Sequence, residues 1–149
     1  MSVSERRFRH GVDRVFRALI DPEGYPRWLV GAKRIREVDP SWPQPGSEFH
    51  HVAGFGPITI ADRTTVLELE APRLLVLRVR ARPAIAATVR FELTPSSTGC
   101  LLTMTETPVG PYRCIAPLLA PLIQMRNARS LQRLADLVDG AERSATPPS

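Results

Sequence analysis

A few ionisable side chains and two polar ones are candidates for an interior site. The strand-like segment "SEFHHVA" holds His50 and His51. Adjacent strand residues point to opposite faces, so the two cannot hold one metal ion between them from this strand. Parity with Phe49 places His51 inward. There it is either a general base or a hydrogen-bonded wall residue. In "GCLLTMTETP", Glu106 shares a face with Leu102 and Met104. That parity aims a carboxylate inward near the end of a strand, as an acid or base or as a structural partner of Arg126, whereas the other register would put it outside. Asp62 lies on a strand of mixed pattern and is expected at the surface. The last two are Asn127 and Ser130, in "LAPLIQMRNARSLQRLADLVDG".

Much other chemistry is absent from the chain. It has no phosphate-binding loop, no GxGxxG, no HExxH and no serine on a nucleophile elbow. Cys100 and Cys114 lack metal-site or CxxC spacing, which predicts reduced thiols in a cytoplasmic protein. Lys33 stands in a charged segment unsuited to Schiff-base chemistry. No metal and no cofactor are expected.

The elements that must position these residues follow from periodicity. Residues 5–11 suit a short first strand. Asp13 can cap the helix "DRVFRALI", and Pro22 opens a second short helix in "DPEGYPRWL". From Ala32 to Thr107 the period is two. "KRIREV", "SEFHHVA", "ITIADRTTVLELE", "RLLVLRVRAR", "AATVRFELTP" and "GCLLTMTETP" read as strands of an antiparallel meander. A bulge is expected near Asp62. In the fourth of these strands Leu75, Leu77 and Val79 face away from Arg78 and Arg80.

A single long helix is left to cover the sheet. Pro117 and Pro121 place its start near Pro117, where unpaired N–H groups tolerate proline, and Gly140 its stop. It would be roughly 33 Å long at 1.5 Å per residue. On the wheel Leu119, Ile123, Asn127, Ser130, Leu131, Leu134 and Val138 share one face, with Arg129, Arg133 and Asp136 away from it and Arg126 on the border. An amide in mid-stripe costs a few kcal/mol, roughly, if it is buried without a partner. Asn127 therefore needs a protein partner or a wet cavity.

Composition agrees with one domain over residues 1–139, followed by a polar, proline-rich tail over 140–149 that is expected to be disordered. The apolar content of 43% suffices for one packed core. The longest apolar run, Cys114 to Ile123, is too short to span a bilayer, and the N-terminus lacks a secretory apolar core. Stable membrane insertion is not expected. The net charge of +5 is spread out: residues 1–40 carry nine cations and six anions, and residues 41–110 carry six of each. Nucleic-acid binders concentrate charge and interleave aromatics, so no nucleic-acid partner is expected. The one local stripe is Arg78, Arg80 and Arg82, suited to a solvated strand face or to an anionic surface.

The order of strand, two short helices, long antiparallel sheet and C-terminal helix resembles the START-like (SRPBCC) superfamily of polyketide cyclases and lipid-transfer domains. "VDRVFRALIDPEGYPRWL", "PGSEFHH…GFGP" and "TGCLLTMTETPVGP…RNARSLQRLADLV" are similar to its words over residues 5–139. The resemblance implies an α+β helix-grip fold, with a curved sheet of six to seven strands wrapped round the long helix. It also implies a cavity that takes a small hydrophobic molecule such as a lipid, polyketide or quinone-like compound. The implied walls are Trp28, Phe49, Phe55, Leu77, Phe91, Met104, Leu119 and Ile123, with Asn127 and Ser130 as polar contacts. Phe55, in "GFG", would serve as a gate. Binding or transport is the leading expectation. The alternatives are an aromatase/cyclase-type enzyme using His51, Glu106 or Arg126, and an interaction module. Homodimerisation stays open.

Overall fold

The computed structural model describes residues 1–29, 32–55, 58–81 and 85–145, with side chains placed for 1–29, 37–52, 62–80 and 86–140. Seven strands form one antiparallel sheet: β1 (Ser2–Phe8), β2 (Ala32–Val38), β3 (Glu48–Phe55), β4 (Ile58–Glu70), β5 (Leu74–Ala81), β6 (Ile85–Ser96) and β7 (Gly99–Pro108). Their order is β1-β7-β6-β5-β4-β3-β2. β2 to β7 follow the chain as a meander, and β1 joins beside β7. The helices are α1 (Val12–Ile20), α2 (Tyr25–Trp28) and α3 (Tyr112–Ala145), and a 3₁₀ turn over Pro22–Gly24 leads into α2. This is the α+β helix-grip architecture, a curved open sheet around one long helix.

Alternation along the strands explains which face is covered. Ser4 and Phe8 of β1, Cys100, Leu102, Met104 and Glu106 of β7, and Ala87, Val89, Phe91 and Leu93 of β6 are buried. So are Leu75 and Leu77 of β5, Asp62, Thr64 and Val66 of β4, and Phe49 and His51 of β3. Their pairing forms continuous rows across the sheet. One runs Ser2, Glu106, Val89, Leu77, Val66, and another runs Val79, Thr64, Phe49. α3 covers these rows with Leu131, Leu134 and Val138, and α1 adds Val15, Phe16 and Leu19 to the same core.

Polar contacts fix the short helices and the grip. The Tyr25 hydroxyl donates to the Leu19 carbonyl, and Trp42 Nε1 donates to the Ile20 carbonyl at 2.7 Å. The far half of α3 is held by Asp139, which accepts from His10 Nε2 at 2.8 Å. Its near half is held by Gln124, which donates to the Val3 carbonyl at 2.7 Å. α3 thus grips β1 and the turn that follows it at two points.

Four local expectations are corrected. β1 begins at Ser2 and ends at Phe8, because it pairs with β7 from Ser2 opposite Glu106 to Phe8 opposite Cys100. α1 starts at Val12 with Gly11 as its cap, and Asp13 lies inside the first turn without capping it. The bulge in β4 lies between Val66 and Glu68, not at Asp62, and leaves Leu67 exposed. α3 begins at Tyr112 and runs through Gly140 to Ala145, so Pro117 and Pro121 are interior residues. Their missing N–H groups leave the Arg113 and Pro117 carbonyls without helical donors. Both prolines lie on exposed turns where water can serve those carbonyls.

Gly99 opens β7 at φ +151°, and an added Cβ would lie 2.0 Å from the Phe8 carbonyl oxygen. Backbone, not a yielding side chain, stands in the way. Gly99→Ala is expected to lower stability by roughly 2 kcal/mol or more, measured by urea unfolding. A loss within about 0.5 kcal/mol, the range of an ordinary surface change, would show that the β1–β7 register is not so constrained.

Candidate functional site

The concave face carries two polar centres. The first joins β7 and α3. Glu106 is buried, as its parity with Leu102 and Met104 predicts, and Arg126 Nη2 donates to its Oε1 at 2.8 Å. Arg126 reaches in from the border of α3, with 41% of its side chain exposed. The same nitrogen lies 3.4 Å from Asn127 Oδ1. Asn127 is wholly enclosed, and its amide nitrogen finds no hydrogen-bond partner among the described residues. Ser130 is equally enclosed, one turn further along. Burial pushes the Glu106 carboxyl above its ordinary range, and the Arg126 guanidinium offsets only part of that rise. The Tyr112 hydroxyl is also pushed up, by burial and then by the Glu106 charge.

The second centre joins β3 and β4. His51 and Asp62 are directly paired in register, and both are buried. His51 Nε2 lies 3.3 Å from Asp62 Oδ2, while His51 Nδ1 and Asp62 Oδ1 find no hydrogen-bond partner among the described residues. The expectation that Asp62 lies at the surface is overturned. The bulge after Val66 changes the inward parity of β4, so Asp62, Thr64 and Val66 face in before it and Leu69 after it. Aromatic contacts lead to this centre from α2. Trp28 lies 5.2 Å from Tyr25, Tyr25 stacks on Phe49 at 5.0 Å, and Phe49 lies 5.3 Å from His51. The buried Trp28 indole N–H is likewise without a partner.

The residues expected to wall a cavity fall into three groups. Trp28, Phe49, Leu77, Phe91 and Met104 belong to the main core cluster, where Phe91 meets the Trp28 ring edge-on at 6.2 Å. Leu119 and Ile123 belong to a smaller cluster with Tyr112 and Ala116. The Phe55 side chain lies outside the described residues. A groove of about 320 Å³ opens beside that smaller cluster. It lies between the start of β1 at Ser2, the end of β7 at Thr107 and Pro108, and Ala116, Ala120 and Ile123 of α3. Of the expected wall residues it includes Ile123. Glu106 precedes its lining residue Thr107, and Asn127 stands one turn beyond Ile123. Among the described residues no group of three or more His, Cys, Asp or Glu side chains could hold a metal ion.

The sign of the Glu106 shift has a measurable consequence. At low pH Glu106 is protonated in both states and carries no penalty. As pH rises the unfolded chain ionises first, so this group lowers native stability until pH passes its raised native pKa. Glu106→Gln removes the titration and keeps the shape. The stability of the wild type minus that of Glu106→Gln should therefore fall as pH rises from about 4.5, the ordinary value, towards neutrality. Urea titrations across that range measure it. A difference that grows with pH would mean that the Arg126 bridge outweighs burial.

Comparison with known proteins bears on this geometry. A crystal structure of a protein from Mesorhizobium loti is 25% identical, with a TM-score of 0.70 over 92% of this chain and 95% of that one. One from Rhodobacter sphaeroides is 20% identical, with a TM-score of 0.76 over 93% and 91%. DynU16, from the dynemicin biosynthetic locus, is 19% identical, with a TM-score of 0.66 over 93% of this chain and 46% of that one. The likenesses below 25% identity establish the shared fold alone. No curated protein matches the sequence. The family described as "Activator of Hsp90 ATPase homolog 1-like protein" matches residues 9–116, from the turn after β1 into the second turn of α3. Over that span, most of the chain, the protein belongs to the Activator of Hsp90 ATPase homolog 1-like family, within the START-like superfamily.

Proposed function

We propose that the protein binds a small hydrophobic molecule between the sheet and α3, with Asn127 orienting the ligand's polar group. The observation that carries this reading is the Asn127 amide. It is fully enclosed, centred in an apolar stripe, and its nitrogen has no protein partner among the described residues. A buried donor left unpaired costs about 1–3 kcal/mol, so a site that keeps one gains by meeting an acceptor. A carbonyl or hydroxyl oxygen on an otherwise apolar lipid, polyketide or quinone-like molecule supplies one. The groove of about 320 Å³ beside Ile123 is at the small end of ligand pockets and suits entry from the side of β1.

Asn127→Leu separates a ligand contact from a structural amide. The apolar replacement removes the unpaired donor, so its stability should match or exceed the wild type by about 1 kcal/mol. Retention of co-purifying small molecules, read by native mass spectrometry, should fall. A loss of stability of about 2 kcal/mol or more, with ligand retention unchanged, would overturn the assignment.

The His51–Asp62 pair supports a second reading, a cyclase-type enzyme. With its proton on Nε2, His51 donates to Asp62 and presents the Nδ1 lone pair as a base. Such a base would take a proton from the carbon beside a bound ketone, leaving an enolate, and return it. The probe is 2-tetralone in deuterated water. Enzyme-dependent exchange of its α-protons, lost in His51→Gln, supports this reading, and exchange no faster than in buffer rejects it for this ketone class.

A further inference from the structure

The outward face of the first half of α3 is built unlike a surface that meets only water. Residues 114–125, "CIAPLLAPLIQM", include no charged side chain. Ile115, Leu118, Leu122 and Met125 recur at spacings of three, four and three, which aligns them along one side of the helix. Leu118 is 82% exposed, and the other three are 45–59% exposed. A helix on a globular core ordinarily turns its apolar stripe inward and its charges outward. Here the inward stripe exists as well, in Tyr112, Ala116 and Ile123, so this half of α3 is apolar on both sides. Gln124, the polar exception within the stretch, donates to the Val3 carbonyl and to Ser4 Oγ of β1.

The charges nearest the stripe are cationic. Between Thr107 and Ala135 the chain has four arginines, Arg113, Arg126, Arg129 and Arg133, and no acidic residue. Arg113, Arg129 and Arg133 are exposed. Arg129 continues the Ile115–Met125 line by one more turn. Projecting aliphatic side chains continued along the same side by Arg129 and Arg133, with the first acid of that side, Asp136, beyond them, are the pattern of a helix that lies in the interface of an anionic bilayer. The long arginine side chains can keep their heads among phosphates while the leucines enter the acyl boundary.

A second copy of the chain fits less well. Two such stripes would bring together four exposed arginines against two acids, Arg129, Arg133 and Asp136 of each copy. Four side chains also fall well short of the roughly 20–30 residues a side of a stable interface. No helix among the described residues is long and apolar enough to cross a membrane, and a surface contact does not require one.

We propose that the Ile115, Leu118, Leu122 and Met125 face of α3, with Arg129 and Arg133, docks the protein reversibly on anionic lipid membranes. This stands apart from the ligand reading, because it uses the outer face of α3 and not Asn127. The test is flotation with vesicles of phosphatidylcholine containing about a third phosphatidylglycerol, against pure phosphatidylcholine, at about 50 and 150 mM salt. The net charge of +5 would attract any such protein weakly, so the deciding variant leaves charge untouched. Leu118→Ser with Leu122→Ser changes two exposed residues and should keep the wild-type melting temperature.

The wild type should bind the anionic vesicles at least about tenfold better than the neutral ones, and the double variant should lose about tenfold or more of that binding. Arg129→Gln with Arg133→Gln should weaken binding, whereas Arg80→Gln on the sheet's outer face should leave it intact. The proposal is overturned by three results: no vesicle binding at the lower salt, equal binding by the leucine variant, or a solution dimer that the leucine substitutions dissociate. Ligand retention by native mass spectrometry is read on the same variants. It should be unchanged, so failure of docking and failure of the ligand reading are told apart.

Discussion

The structure depends on one packing constraint. A single helix must cover the concave side of a seven-stranded open sheet. The far half of α3 does so with Leu131, Leu134 and Val138 sealed against the core and with Asp139 held by His10. The near half rests instead on β1 through Gln124 and on β7 through the Arg126–Glu106 bridge, with Ala116 and Ile123 lining the groove between them. Between these halves stand Asn127 and Ser130, where apolar packing would have served stability better. The polar middle of the stripe and the groove beside it come from the same division of the helix.

Two polar centres on a buried sheet face are costly to maintain, and their locations show how the fold manages them. Glu106 sits near the open end of β7, where a half-exposed arginine from the border of α3 can reach it. His51 and Asp62 sit beside one another on β3 and β4, each the other's cross-strand partner. Three strands and four residues separate Asp62 from Glu106 along the pairing rows.

The sheet residues were legible wherever the pleat was regular. His51 follows the parity of Phe49, and Glu106 that of Leu102 and Met104, because side chains alternate strictly on an unbroken strand. Asp62 was not legible. Counting back by twos from Leu69 and Leu67 puts it outside, and only the extra residue between Val66 and Glu68 turns it inward. The apolar outer face of α3 was hidden by a different cause. Two prolines normally signal a helix start, and a helix that begins at Pro117 has only a short outward apolar stretch. Once the helix reaches back to Tyr112, Ile115 joins Leu118, Leu122 and Met125 in a single line.

Periodicity in the sequence by itself determined the order of elements, the covered face of the sheet and the buried stripe of α3, since each is a local property of backbone geometry. It also determined that Asn127 lies in that stripe. Only the tertiary structure decided what surrounds these residues: that Arg126 bends in to meet Glu106, that Asp62 faces His51, and that the Asn127 nitrogen is enclosed without a partner among the described residues. Such facts depend on which strand lies beside which and how far a helix extends past a proline. Pairing and packing set them over distances that no local pattern records.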